Sequence, residues 1–314
     1  ISMAGWLGSS ELTAMFEDVS PVPQNDGPKA VVAIAYPQEY ASLMNYFRAM
    51  LLSGERSPRV LELTAALVDH NAAHYTVWHV RRQCIFALGD ADILREELEY
   101  AESVASVNPK NYQVWYHRRS VLERVGTVEA ARAELEFIAD VLRGDAKNYH
   151  GWSHRLWLLR QYPALCDGDE ELEYLDGLLR QDAFNNSAWS HRHALVKQQM
   201  TRTASNVALR ECEYALSFAR LNPENESPWS YALSYARDDK GSFFLLREHC
   251  ASVMKTSEVS AFAASTLLEL YEREGELDYA LGLAQQLETE LDRPHRNFWI
   301  NKTNRLKHKK KQQQ

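Results

Sequence analysis

Apolar residues recur along the chain at the spacing of one helix face. Leu43, Met44, Phe47, Met50 and Leu51 form an i, i+3/i+4 stripe that predicts a first helix ending near Ser53-Gly54. Ser57-Pro58 opens the next, with serine as N-cap and proline at the first helical position, where its missing N–H costs nothing. Further on, the stripe itself repeats. Leu94, Leu98, Ala101 and Ala105 become Ala131, Leu135, Ile138 and Leu142, then Gly168, Leu172, Leu175 and Leu179, always at the i, i+4, i+7, i+11 spacing of a buried face. A later copy uses small residues, Ala208, Cys212, Ala215 and Ala219, which would let neighbouring helices approach closely.

A second helix follows each of these, and its mark is tryptophan. Trp78, Trp115, Trp152 and Trp189 are 37 residues apart, and Trp229 follows after 40. Self-similarity at such a period is the signature of a stacked-repeat protein. Asn108-Pro109 and Asn222-Pro223 end the first helices of their pairs, because proline forces the preceding residue out of the α region. Asn111, Asn148, Asn185 and Asn225 stand four residues before the tryptophans, as N-caps; His74 replaces asparagine in the first repeat. The tryptophans and the adjacent histidines and arginines read as scaffold, with a buried indole anchoring each repeat. Phe184 and Trp189 have the spacing of a hydrophobic staple. Helical periodicity continues through Phe243–Met254, Phe262–Tyr271 and Leu277–Leu291, and Asn297-Phe298-Trp299 resembles a last degenerate copy. The chain is thus expected to be all-α: a proline-bearing, extended or disordered lead-in over 1–35, one continuous repeat domain over 36–306, and a basic low-complexity tail over 307–314 read as solvated.

Composition narrows the function. The 314 residues are 45% hydrophobic and 25% charged, as in a folded soluble protein, and no stretch approaches the 18 or so apolar residues of a membrane span. A net charge of -8 disfavours general nucleic-acid binding and favours a protein partner. Cys84, Cys166, Cys212 and Cys250 are scattered with no Cys-x-x-Cys pair, so neither a zinc knuckle nor a disulfide framework is written here. No secretory signal is visible near Ile1, and a cytoplasmic location fits best.

Candidate chemistry appears where the repeats differ. Just before the cap they read Ala73, Lys110, Lys147, Phe184 and Glu224; three before the tryptophan, Tyr75, Tyr112, Tyr149, Asn186 and Glu226; two before it, Thr76, Gln113, His150, Ser187 and Ser227. Lys110, Tyr112, Gln113, Lys147, Tyr149 and His150 therefore crowd the N-termini of two adjacent second helices. Free N–H groups point there too. Such an edge suits a phosphate or a carboxylate, although exposed loop residues would give the same spacing.

Pro109-Lys-Asn-Tyr-Gln-Val-Trp-Tyr-His-Arg-Arg119, Asn148-Tyr-His-Gly-Trp-Ser-His-Arg155 and the Tyr36 to Arg48 segment resemble the α subunit of protein farnesyltransferase and type I geranylgeranyltransferase, over roughly residues 36 to 300. The resemblance implies a right-handed α-α superhelix, a crescent of helical hairpins wrapped around a β subunit that holds the lipid pocket and the Zn²⁺. It implies transfer of an isoprenoid from its diphosphate to the cysteine of a C-terminal Cys-a-a-X motif, with Mg²⁺ used in the farnesyl reaction. Lys110 would contact the diphosphate, with Tyr149 and His150 beside it and Tyr112 lining the same site. Gln113 would bind the peptide's terminal carboxylate, and Ala73 and Tyr75 would border the pocket for its last side chain. His74 departs from the family's asparagine, which puts details of that pocket in doubt. No metal ligand is expected in this chain. Two rivals stay open: the α subunit of Rab geranylgeranyltransferase, and a non-catalytic tetratricopeptide-like adaptor, whose repeats would be nearer 34 residues.

Overall fold

The computed structural model describes residues 11, 14–29, 31, 32, 34–166, 169–200 (side chains of 199 and 200 excepted), 206–255 and 260–313. The chain divides into two compact units, 1–167 and 168–314. In the first lie α1 (Gln38–Ser53), α2 (Pro58–His70), α3 (Tyr75–Leu88), α4 (Ala91–Val107), α5 (Tyr112–Val125), α6 (Val128–Gly144) and α7 (Tyr149–Gln161), then a 3-10 turn at Pro163–Cys166. The second holds α8 (Glu170–Gln181), α9 (Asn186–Met200), α10 (Val207–Leu221), α11 (Glu226–Ala236), α12 (Lys240–Val253), α13 (Ala261–Glu274), α14 (Leu277–Gln286) and α15 (Arg296–Gln313). Among the described residues there is no strand.

Helix ends follow local chemistry. Gly54, Gly89, Gly126 and Gly275 close their helices at positive φ, a conformation that costs glycine nothing. Asn111, Asn148 and Asn225 cap α5, α7 and α11 through their side-chain oxygens, which accept the freed backbone N–H groups. His74 caps α3 in backbone conformation only, with no side-chain hydrogen bond.

The stripes pack as the pattern predicts at three of their four positions. Ala101 and Ala105 in α4, Ala131, Ile138 and Leu142 in α6, Leu175 and Leu179 in α8, and Ala208, Cys212, Ala215 and Ala219 in α10 are all buried. Gly168 lies outside the described residues. The i+4 position is only half-buried in three of the copies, as Leu98, Leu135 and Leu172, whereas Cys212 there is buried. A glutamate one residue earlier, Glu97, Glu134 or Glu171, is buried instead.

These glutamates link successive helices. Arg81 of α3 grips Glu97 of α4 with two hydrogen bonds of 2.6 and 2.7 Å, and His117 of α5 approaches the same carboxylate to 2.6 Å. One repeat on, Glu134 takes Arg118 and His154 in the same roles. In the second unit Arg192 grips Glu211, and Tyr231 donates its hydroxyl where the earlier copies have histidine. The arginines also reach back to the preceding first helix: Arg81, Arg118 and Arg155 donate to the carbonyls of Leu61, Leu98 and Leu135. A buried charge is tolerated only when paired and fully hydrogen-bonded, and both conditions are met here.

Three further findings depart from the sequence pattern. Phe184 is half-exposed, and the ring neighbours of Trp189 are Tyr214, Phe218 and Tyr231, so no staple forms. Within the lead-in, of which residues 1–10 lie outside the described residues, the 16–22 stretch is tied to the first unit: Phe16 is buried under the Arg59 guanidinium, Asp18 pairs with Arg59, and Val22 exchanges hydrogen bonds with Asn45 and Arg48. Residues 307–313, read as solvated, continue α15. Leu306 is buried, and Lys309 and Lys310 find carboxylate partners on α13 and α14, which holds the basic end in place.

Candidate functional site

Each turn that leads into a second helix is held by the same device. The indole N–H of Trp78 donates to the carbonyl of Ala72 at 2.8 Å, and the amide of Asn111, one repeat later, donates to that same oxygen at 2.6 Å. Trp115 and Asn148 converge in the same way on the carbonyl of Pro109, at 2.8 and 3.2 Å. The N-termini of α3, α5 and α7 are thereby stapled side by side, which a free loop would not be.

Residues 73, 75, 110, 112, 113, 149 and 150 all lie on these three adjacent edges of the first unit. Tyr112 and Tyr149, 68% and 69% exposed, stand out from the first turns of α5 and α7. His150 is the hub of the pair. Its ring meets Tyr112 edge-on at 4.3 Å between centroids, Tyr149 at 5.6 Å, and stacks over Trp115 at 6.3 Å and 12°. Burial lowers the His150 pKa and outweighs the opposing hydrogen bond to the Lys110 backbone, so the imidazole is neutral near pH 7.

The Lys110 side chain is 76% exposed, with Asp145 at 3.3 Å as its ionic partner. Exposed pairs of this kind are worth at most about 1 kcal/mol, so the ammonium can leave Asp145 for a stronger anion. The Gln113 backbone N–H is held by Asn111, and that of Ala73 by Asn71; among the described residues the Gln113 side-chain amide has no hydrogen-bond partner. Among the described residues no hydrogen bond or ring contact joins Ala73 or Tyr75 to Tyr112 or His150; they form the neighbouring edge. Lys147 is exposed one repeat on, with its backbone N–H held by Asp145.

Asp145 was not singled out by the repeat comparison, although it occupies the slot of Asn108 and Asp182 one period away. No group of three His, Cys, Asp or Glu among the described residues could hold a metal ion. The donor set here therefore does not fit zinc; it is one of cations, neutral hydrogen-bond donors and aromatic rings, suited to binding an anion attached to an apolar chain. Among the described residues no helix is long and apolar enough to cross a membrane.

The protein prenyltransferase alpha subunit repeat matches residues 57–88, 94–125, 131–162 and 169–199. The chain is similar to the protein farnesyltransferase/geranylgeranyltransferase type-1 subunit alpha of Solanum lycopersicum, 49% identical over 88 residues, or 28% of this chain and 25% of the relative. It is likewise 49% identical over 90 residues to that of Arabidopsis thaliana, covering 29% of this chain and 27% of the relative. The matched stretch thus spans about a quarter of these relatives' length. Among solved structures, Candida albicans protein geranylgeranyltransferase-I complexed with GGPP superimposes with a TM-score of 0.83 at 27% identity, covering 93% of this chain and 98% of that one.

Proposed function

We propose, from the four protein prenyltransferase alpha subunit repeats matched within residues 57–199, that the chain is the α subunit of a heterodimeric protein prenyltransferase, which transfers a farnesyl or geranylgeranyl group to the cysteine of a C-terminal Cys-a-a-X motif. The observation that carries the site assignment is the stapled edge: an exposed, exchangeable Lys110 and a neutral His150 between Tyr112 and Tyr149, on helix N-termini joined through the Ala72 and Pro109 carbonyls. A tetratricopeptide-like adaptor is not favoured, since the repeats match another family.

In the reaction a sulfur–carbon bond forms as the carbon–oxygen bond to diphosphate breaks, and negative charge gathers on the leaving group. An ammonium accelerates this step only by interacting better with that charge than with the ground state. Lys110 supplies the ammonium. Tyr149 offers its hydroxyl to a diphosphate oxygen, the neutral His150 lies beside it without adding fixed charge, and Tyr112 lines the donor's path. Gln113 donates its amide to the peptide's terminal carboxylate, while Ala73 and Tyr75 border the pocket for the last side chain. Zn²⁺ held by the partner β subunit would activate the thiol, and Mg²⁺ would accompany the diphosphate in farnesyl transfer.

The test is single-turnover product formation with pre-bound isoprenoid diphosphate. Lys110→Ala is expected to slow the chemical step on the order of 10²-fold with little change in donor affinity. Lys147→Ala, with the same charge one repeat away, is expected to be nearly silent. Equal slowing by both, or a Lys110→Ala defect confined to donor binding, would refute the assignment.

A further inference from the structure

The strongest charge concentration in the protein lies far along the chain from this edge. α15 carries Arg296, Lys302, Arg305, Lys307, Lys309, Lys310 and Lys311 and no acidic residue, in a chain whose net charge is -8. Trp299, Thr303 and Leu306 bury one face of the helix. Lys302 and Lys309 share Glu272 on α13, Lys310 pairs with Asp278 on α14, and Arg296 lies 3.5 Å from Glu288. These pairs hold the helix against the unit. Arg305, Lys307 and Lys311 are exposed and make no ion pair among the described residues. At 100° per residue Phe298, Arg305, His308 and Lys311 fall on the outward half of the helix, with Lys307 and Lys309 at its two margins.

That half is also indented. A cleft of about 630 Å³ is lined by Asn301, Asn304, Arg305, His308, Lys309 and Gln312, with Glu272 its sole acid. At the N-terminal end of the same half stands Phe298, 60% exposed and held edge-on against Trp299 at 4.7 Å. A guanidinium, an ammonium and side-chain amides around a cleft make a donor set for a phosphodiester. An exposed aromatic ring beside a row of cations fits the boundary between lipid headgroups and acyl chains.

We propose that the outward half of α15 is a docking site for an anionic phospholipid surface, with a headgroup phosphate in the Arg305 cleft, Lys307 and Lys311 against neighbouring headgroups, and Phe298 at the acyl boundary. The site does not depend on the function proposed above. It places the protein on a bilayer without spanning it.

The experiment is co-sedimentation of the full chain, in whatever complex it purifies, with phosphatidylcholine vesicles and with phosphatidylcholine–phosphatidylserine vesicles. Binding is expected only to the anionic vesicles and is expected to weaken as salt is raised. R305Q/K307Q/K311Q is expected to lower the partition coefficient on the order of 100-fold, each cation near such a surface contributing about tenfold or less. R124Q/R132Q/R160Q, which removes as many exposed cations from the first unit, is expected to change nothing. Should the triple variant melt early, K307Q/K311Q, which lines no cleft and breaks no ion pair, reads the same effect at roughly 30-fold. Equal binding to neutral vesicles, retention by the variants, or an equal loss in the first-unit control overturns the proposal. So does capture of polyuridylate in preference to the anionic vesicles, which would make the occupant a nucleic acid.

Discussion

Glu134→Gln is the sharpest probe of how the repeats are held. Glu134 and Arg118 are each 2% exposed, and the carboxylate also meets His154 at 2.8 Å. Burial by itself would raise the Glu134 pKa; the Arg118 guanidinium and the hydrogen bonds from His154 and Arg118 overcome this and bring it down to about 2, from an ordinary 4.5. At about 1.4 kcal/mol per tenfold, that difference corresponds to about 3 kcal/mol of stability. The second route to the magnitude is structural. The substitution keeps the shape but leaves Arg118 charged and buried without a counter-ion, at a cost of about 3–5 kcal/mol. The two agree.

The sign with pH follows from the lowered value. Glu134 contributes fully above the unfolded carboxyl's pKa, and the contribution disappears as pH falls through about 2. In urea denaturation followed by far-UV circular dichroism, the parent is expected to exceed Glu134→Gln by about 3 kcal/mol at neutral pH. That gap is expected to narrow between about pH 5 and pH 2. A gap below about 1 kcal/mol at neutral pH, or one that stays constant across the acid range, would refute the claim that this carboxylate clamps neighbouring repeats.

Two further outcomes test the division between scaffold and site. Trp115→Ala removes a buried indole and its hydrogen bond to Pro109, and is expected to cost about 3–5 kcal/mol in the same denaturation assay while leaving activity per folded complex largely intact. Gln113→Ala is expected to lower kcat/KM for peptide by the equivalent of about 1–3 kcal/mol, with donor binding unchanged; a defect in donor binding instead would move this amide to the diphosphate side.

Much of the scaffold was legible in the sequence because helical repeats are encoded by short-range rules. Spacing at i, i+4, i+7 set the buried faces, Asn-Pro and glycine set the helix ends, and the 37-residue recurrence of tryptophan announced the stacking. The candidate site residues stand out in the sequence because they are positions at which otherwise similar copies disagree, Lys110 and Gln113 against Phe184 and Ser187.

What only the tertiary structure decided is which polar groups are buried and what they touch. Glu97, Glu134 and Glu211 sit among charged residues on amphipathic helices, and no local rule separates a solvated glutamate from one clamped by an arginine 16 to 19 residues away. The clamp exists because the next helix folds back, and burial there is favourable only once both charges arrive together. The same holds for Asp145 beside Lys110, for His150 under Tyr112, and for the basic end of the chain. That end reads as a solvated run in sequence and becomes a fixed helix only because Glu272 and Asp278 wait on α13 and α14.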